Sequence, residues 1–379
     1  MKRRDILKTS VLLTGAMTAP SLWASNHSKP TSPFHYPLTY QVSNEAAPAV
    51  FFTPDVSSNG LVNVYKALKQ NLRGKVGIKM TFETPGGPHL DPQLVKALAD
   101  HTKATLIDNN CFSPRDTTEK HLAVARGNGL DASIAPIDIL DSEGSMDLPV
   151  KGYHLRFART GSHFARYDTL ISLVRFKAHF LDFYGGTLKN LSICMGTLEG
   201  KCLIHSAGEV MTHFSSRDNK TTCEAISDAV KAAMQAKAGR WAFINVIDAF
   251  EPSDGCESAT NLGNIGILAS LDPVAVDQAA IDITFGAAPS AAMRATWEEH
   301  HSTMLTDIAE KNDVGKTHYR LISLVHYRIR GTSAAFPSSF CNHCKRLFFL
   351  PNHLGAVCQR ARVRLRHFHP DREPVLLAR

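Results

Sequence analysis

Between residues 49 and 324, short apolar runs alternate with stretches whose apolar positions recur every three or four residues. The runs 49–53, 75–81, 104–108, 150–159, 169–176, 241–247, 265–269 and 318–324 read as strands. The stretches 61–72, 92–101, 117–126 and 291–311 read as helices. Two further helix starts carry their own signals. Thr221-x-x-Glu224 has the form of a capping box ahead of the stripe Ala225, Ile226, Ala229, Val230 and Ala233. Asp272-Pro273 offers a carboxylate cap and a proline at the first helical position, where the missing N–H is harmless. Strands alternating with helices predict an α/β fold, a mainly parallel sheet with helices on both faces, in one domain or two subdomains.

The two ends depart from this rhythm. Arg3-Arg4, followed by Leu7-Lys8 and a weak apolar stretch over 11–19, has the layout of a twin-arginine leader. The stretch is far short of the roughly 20 residues a membrane span needs, so no stable membrane anchor is expected. Cleavage is expected after Ala24, leaving a polar linker over 25–48. The expectation is a soluble periplasmic protein that meets the twin-arginine export machinery as a partner. At the other end, 325–379 holds ten Lys or Arg against Asp371 and Glu373. The formal charge of +7 resides there, and the remainder is nearly balanced, which removes the argument for a nucleic-acid partner. This segment also holds Cys341, Cys344 and Cys358 but no second CxxC. Its unpatterned composition reads as an out-of-frame or disordered basic extension.

The densest chemistry lies between Arg175 and His205. Lys177, Lys189 and Lys201 surround the turn Gly185-Gly186 and Asn190. If the glycines open a helix after a strand, their N–H groups and the lysines would attract a phosphate or carboxylate. The pattern is neither a P-loop nor GxGxxG, and the glycines read equally well as a plain strand-to-helix turn. His179 and His205 are candidate metal ligands, although a lone histidine is commonly a packed core residue. After the strand 241–247, Asp248, Glu251, Asp254, Cys256 and Glu257 crowd one loop, and Asp254 and Cys256 complete the candidate metal set. This loop, the Lys177 segment and Asp108-Asn109-Asn110-Cys111 all follow strands, so all are expected at the carboxyl edge of the sheet. Asp272 reads as a helix cap, and Asp277 one turn later as a dipole partner or a member of that edge.

The ordered motifs Gly74-Lys-Val-Gly-Ile-Lys79, Phe176-Lys-Ala-His179, Gly185-Gly-Thr-Leu-Lys-Asn190, Gly200-Lys201 with His205, and Ser270-Leu-Asp-Pro-Val-Ala-Val-Asp277 resemble the domain of unknown function 362 family. The likeness spans roughly 49–324. It implies an α/β body and, in many relatives, iron–sulfur clusters held by added cysteine-rich segments, which this chain lacks. Some relatives carry Cys-Asp-Cys where this chain reads Ser253-Asp254-Gly255-Cys256, so one potential ligand is absent. The resulting expectation is a metal- or iron–sulfur-dependent redox-associated protein. The alternative is a non-catalytic binding protein for a small anionic molecule.

Overall fold

The computed structural model describes residues 38, 40–179, 183–249, 263–286 and 303–324. In chain order the elements are β1 (Ala49–Thr53), α1 (Ser58–Ala67), β2 (Val76–Lys79), α2 (Pro92–Thr102), β3 (Thr105–Asp108), α3 (Thr118–Gly127), β4 (Ile137–Ile139), β5 (Ser145–Pro149) and β6 (Phe157–Gly161). They continue with β7 (Thr169–Arg175), β8 (Lys177–His179), β9 (Phe183–Gly185), α4 (Thr187–Leu191), α5 (Leu198–His205) and α6 (Asn219–Ala236). The last described elements are β10 (Trp241–Ile247), β11 (Gly266–Ser270), α7 (Pro273–Ile281), α8 (Met304–Lys311) and β12 (Arg320–Ser323).

Eight of these strands form one sheet in the order β12-β1-β11-β10-β7-β2-β3-β4. β11 runs antiparallel to both of its neighbours, and every other pairing is parallel. The α/β class with a mainly parallel sheet is thus as expected. Both faces are covered, which is why the central strands are apolar at nearly every position. In β7 and β10 the side chains alternate between two cores. Leu170 and Phe243 join Phe52, Val230, Val276 and Ala279 on one face. Ile171 and Ile244 join Ile78, Leu106, Val64 and Leu98 on the other. Among the described residues, no helix is long and apolar enough to cross a membrane.

Several boundaries differ from the expected ones. The first helix starts three residues early because the Ser57 side chain accepts from Gly60 N–H, and the chain leaves it at Lys69, whose φ is 52°. The run 150–159 is not one strand. β5 and β6 form an antiparallel hairpin, and its connection is pinned by the buried Asp228 carboxylate, which accepts from the N–H groups of Tyr153, His154 and Leu155. Helix α6 begins at Asn219 rather than after Thr221, because Asp218 supplies the cap and accepts from Thr221 N–H. Asp272 caps α7 as expected, accepting from Val274 and Ala275 N–H at 2.9 Å each. Of the long helix expected over 291–311, the part Met304–Lys311 is described. The expectations for 1–37 and 325–379 lie outside the described residues.

Candidate functional site

The route of the chain locates the site. From β2 it winds outward through β3 to β4, then returns so that β7 pairs with the opposite side of β2. Connections therefore diverge beyond the carboxyl ends of β2 and β7, which is where open α/β sheets hold their ligands. A narrow cleft of about 10 Å³ lies there, lined by Met80, Thr81, Glu83, Arg175 and Asn190 among others.

Asn190, from α4, ties the cleft to a buried ionic cluster. Its Oδ1 accepts from Lys79 Nζ at 2.9 Å, while its Nδ2 donates to Lys79 O and Ser172 Oγ. Lys79 is fully buried at the end of β2 and donates to Asp108 Oδ1 at 3.0 Å. Asp108 Oδ2 accepts from Phe82 N–H and stands 3.2 Å from Nε2 of the fully buried His121. Burial alone would raise the Asp108 carboxyl, but Lys79, helped by His121 and Lys201, outweighs it and holds it well below the usual carboxylate range. A buried charge of this kind persists only with partners.

Two further ion pairs border the cleft. Lys177 Nζ meets Glu83 Oε2 at 2.6 Å. Glu83 has a φ of 61°, a left-handed conformation that disfavours a side chain by roughly 1 kcal/mol or more. Arg175 Nε lies 2.9 Å from Asp248 Oδ1, and its guanidinium also donates to the carbonyls of Asp248 and Ala249. Burial pushes the Asp248 carboxyl up, against the pull of Arg175. Lys177 begins β8, which carries His179 two residues on and pairs with β9.

The Gly185-Gly186 turn does connect a strand to a helix, and the chain supplies an anion to that helix itself. The Asp277 carboxylate of α7 accepts from Thr187 N–H at 2.8 Å and Leu188 N–H at 2.9 Å, and also from Asn245 Nδ2. Asp277 is fully buried, and desolvation pushes its carboxyl up to about 6. Lys201 is likewise engaged internally, donating to the carbonyls of Asn110 and Gly196. Lys189 is half-buried on α4. His205 is buried at the end of α5 with its ring 4.8 Å from that of Phe214. Asp254 and Cys256 lie outside the described residues. Among the described residues no three His, Cys, Asp or Glu side chains gather as a metal-ligand group, and Cys111, Cys194, Cys202 and Cys223 form no disulfide.

Lys177, Asn190 and the edge position of Asp108 are thus brought together. Their partners Glu83, Lys79, His121 and Ser172 were not singled out by local spacing, since Lys79 and Asn190 are 111 residues apart.

An α/β sheet with paired charges around a cleft at its strand-order reversal defines the class of protein. The chain belongs to the domain of unknown function 362 family, whose model matches residues 76–282. No curated protein matches it. A crystal structure of a Thermotoga maritima protein is similar at 10% identity and a TM-score of 0.39, covering 67% of this chain and 58% of that one. The lactate racemase apoprotein from Thermoanaerobacterium thermosaccharolyticum is similar at 15% identity and a TM-score of 0.36, covering 52% of this chain and 50% of that one. The chain therefore spans between half and three-fifths of the length of these two structures.

Proposed function

We propose that the carboxyl-edge cleft binds a small anionic molecule, a carboxylate or phosphate, held by Lys177 and Arg175. The observation that carries this reading is the Lys177–Glu83 pair, whose Glu83 lines the cleft in a left-handed conformation. The cleft of about 10 Å³ has room for about one water, so a ligand anion would have to displace the Glu83 carboxylate from Lys177. Asn190 forms the floor, and the Lys79–Asp108 pair beneath keeps it in a fixed orientation. The test is a melting series with inorganic phosphate and small mono- and dicarboxylates, because a ligand selective for the native state raises the midpoint. At least one should stabilise the wild type and leave Lys177→Met unmoved. A panel with no effect on the wild type sinks the reading.

A second reading keeps the metal- or iron–sulfur-dependent redox role. It is favoured by the position of His179 two residues beyond Lys177, and by β10 and β11, whose pairing of Ile247 with Gly266 sets both ends of the connection carrying Asp254 and Cys256 at the same edge. His205 would be the fourth ligand. Iron, sulfide and visible absorption of anaerobically produced protein test it, with loss of metal in His179→Ala as the expected outcome. Export through the twin-arginine route to the periplasm belongs to both readings and rests on Arg3-Arg4. Fusion of the first 24 residues to a folded reporter, with Arg3-Arg4 changed to Lys-Lys, tests it by fractionation.

A further inference from the structure

A larger cavity, about 390 Å³, opens at the opposite edge of the sheet, where β2, β7 and β10 begin and β11 ends. This volume lies in the range of small-molecule pockets. Three cations line it: Lys69, Arg73 and Arg240. Their backbones are fixed. Arg73 N–H donates to Thr169 Oγ1, whose hydroxyl donates back to Arg73 O at 2.8 Å. Arg240 O accepts from Leu170 N–H at 2.9 Å, and Arg240 N–H donates to Lys237 O. Lys69 is set by its left-handed turn after α1. None of the three side chains forms an ion pair with a described carboxylate, in contrast to Lys79, Arg175 and Lys177. Asp168, next in sequence to Thr169, accepts from Lys75 N–H at 2.8 Å.

The remainder of the wall is apolar. Trp241 is buried against it, Met234 is partly buried, and Leu271 is 51% exposed at the rim. Gln70 also lines the cavity, and its Oε1 is buried without a hydrogen-bond partner. Three cations without a described carboxylate partner stand beside an exposed leucine and a partly buried methionine, a lining that suits an anion with an apolar body.

We propose that this amino-edge cavity is a second binding site, independent of the carboxyl-edge cleft, for a free amphipathic organic anion with a carboxylate or phosphate head and an alkyl or aryl body. Arg73 and Arg240 hold the head and Lys69 adds charge, while Trp241, Met234 and Leu271 receive the body.

The experiment is calorimetric titration of the full chain with octyl phosphate, octanoate and octanol. Vesicles of anionic phospholipid present the same head group from a membrane. Octyl phosphate should bind the wild type at least about tenfold more tightly than octanol, as charge-assisted contacts require. Arg73→Gln/Arg240→Gln should lose about tenfold or more of that affinity, with its fold checked by the melting midpoint. Lys177→Met, which removes the cation of the carboxyl-edge cleft, isolates the amino-edge cavity and should retain octyl phosphate binding there, to be lost when Arg73→Gln/Arg240→Gln is added. Absence of octyl phosphate binding, equal binding of octanol, or unchanged affinity in the double variant overturns the proposal. So does binding to vesicles without binding to the monomer, since that describes a charged surface rather than a cavity. Loss of binding in Lys177→Met would move the site to the carboxyl edge and overturn it too.

Discussion

The two edges of the sheet handle positive charge in opposite ways. At the carboxyl edge each of three cations has its own carboxylate: Lys79 with Asp108, Lys177 with Glu83 and Arg175 with Asp248. At the amino edge Lys69, Arg73 and Arg240 surround a cavity with no such partner among the described residues. Burial explains the difference. Lys79 is fully buried and the side chains of Arg175 and Lys177 nearly so, and charges taken out of water persist only when paired. Lys69 and Arg73 are exposed and Arg240 partly so, and water solvates them without help. The lesson is functional as well. A ligand at the carboxyl edge must compete with an internal carboxylate, whereas one at the amino edge meets cations already free of acids.

The largest expected effect tests whether the paired edge depends on its pairs. Lys79→Met leaves Asp108 buried without its cation and should cost about 3–5 kcal/mol in urea unfolding. Lys79→Met/Asp108→Leu should be less harmful than the single change. A single-variant loss below about 1 kcal/mol would break the contrast between the edges.

Asp277→Asn comes next. It sets an amide against two backbone donors and should cost about 2 kcal/mol near neutral pH. The pH dependence sharpens this. Burial raises both Asp277 and Asp272 to about 6 in the fold, whereas in the unfolded chain they titrate near about 4. Between these values the unfolded chain binds fewer protons, so the contribution of these groups to stability falls as pH rises through the window and is level above it. Asp108 acts in the opposite sense. Its stabilisation is present above about pH 4 and is lost as pH falls further towards its depressed folded value. Unfolding midpoints taken from pH 4 to 6.5 should therefore show a shallower decline in Asp277→Asn than in the wild type, the remainder belonging to Asp272. An unchanged slope would remove Asp277 from this account.

The smallest effect is expected at the unpaired edge. Arg73→Gln/Arg240→Gln should change stability by less than about 0.5 kcal/mol, because exposed cations without partners hold nothing together. A loss comparable to that of Lys79→Met would show that the edges do not differ.

The strands of the sheet centre are legible because burial on both faces makes 169–176, 241–247 and 265–269 plain apolar runs. β4, with its three residues Ile-Asp-Ile, and β5, mostly exposed and carrying a proline, have no such signature. The start of α6 is misread because Asp218 and Thr221 are both good caps, and the contest is decided by which one the preceding chain reaches. At the site, Lys177 and Asn190 stand out in a glycine-rich stretch. Their partners do not, because Glu83 lies 94 residues from Lys177 and Lys79 lies 29 from Asp108. The glycine turn is legible as a turn, but its occupant is not. Asp277 reaches it across about 90 residues, and only the packing of α7 beside α4 reveals that the expected anion is a side chain of the same protein.

The most direct measurement is calorimetric titration of inorganic phosphate and of the best small carboxylate into the wild type, Glu83→Gln and Lys177→Met. If a ligand anion must exchange with the Glu83 carboxylate for Lys177, neutralising Glu83 should tighten binding by about tenfold and removing the lysine should abolish it. Binding that is unchanged or weaker in Glu83→Gln, or intact in Lys177→Met, would contradict the account.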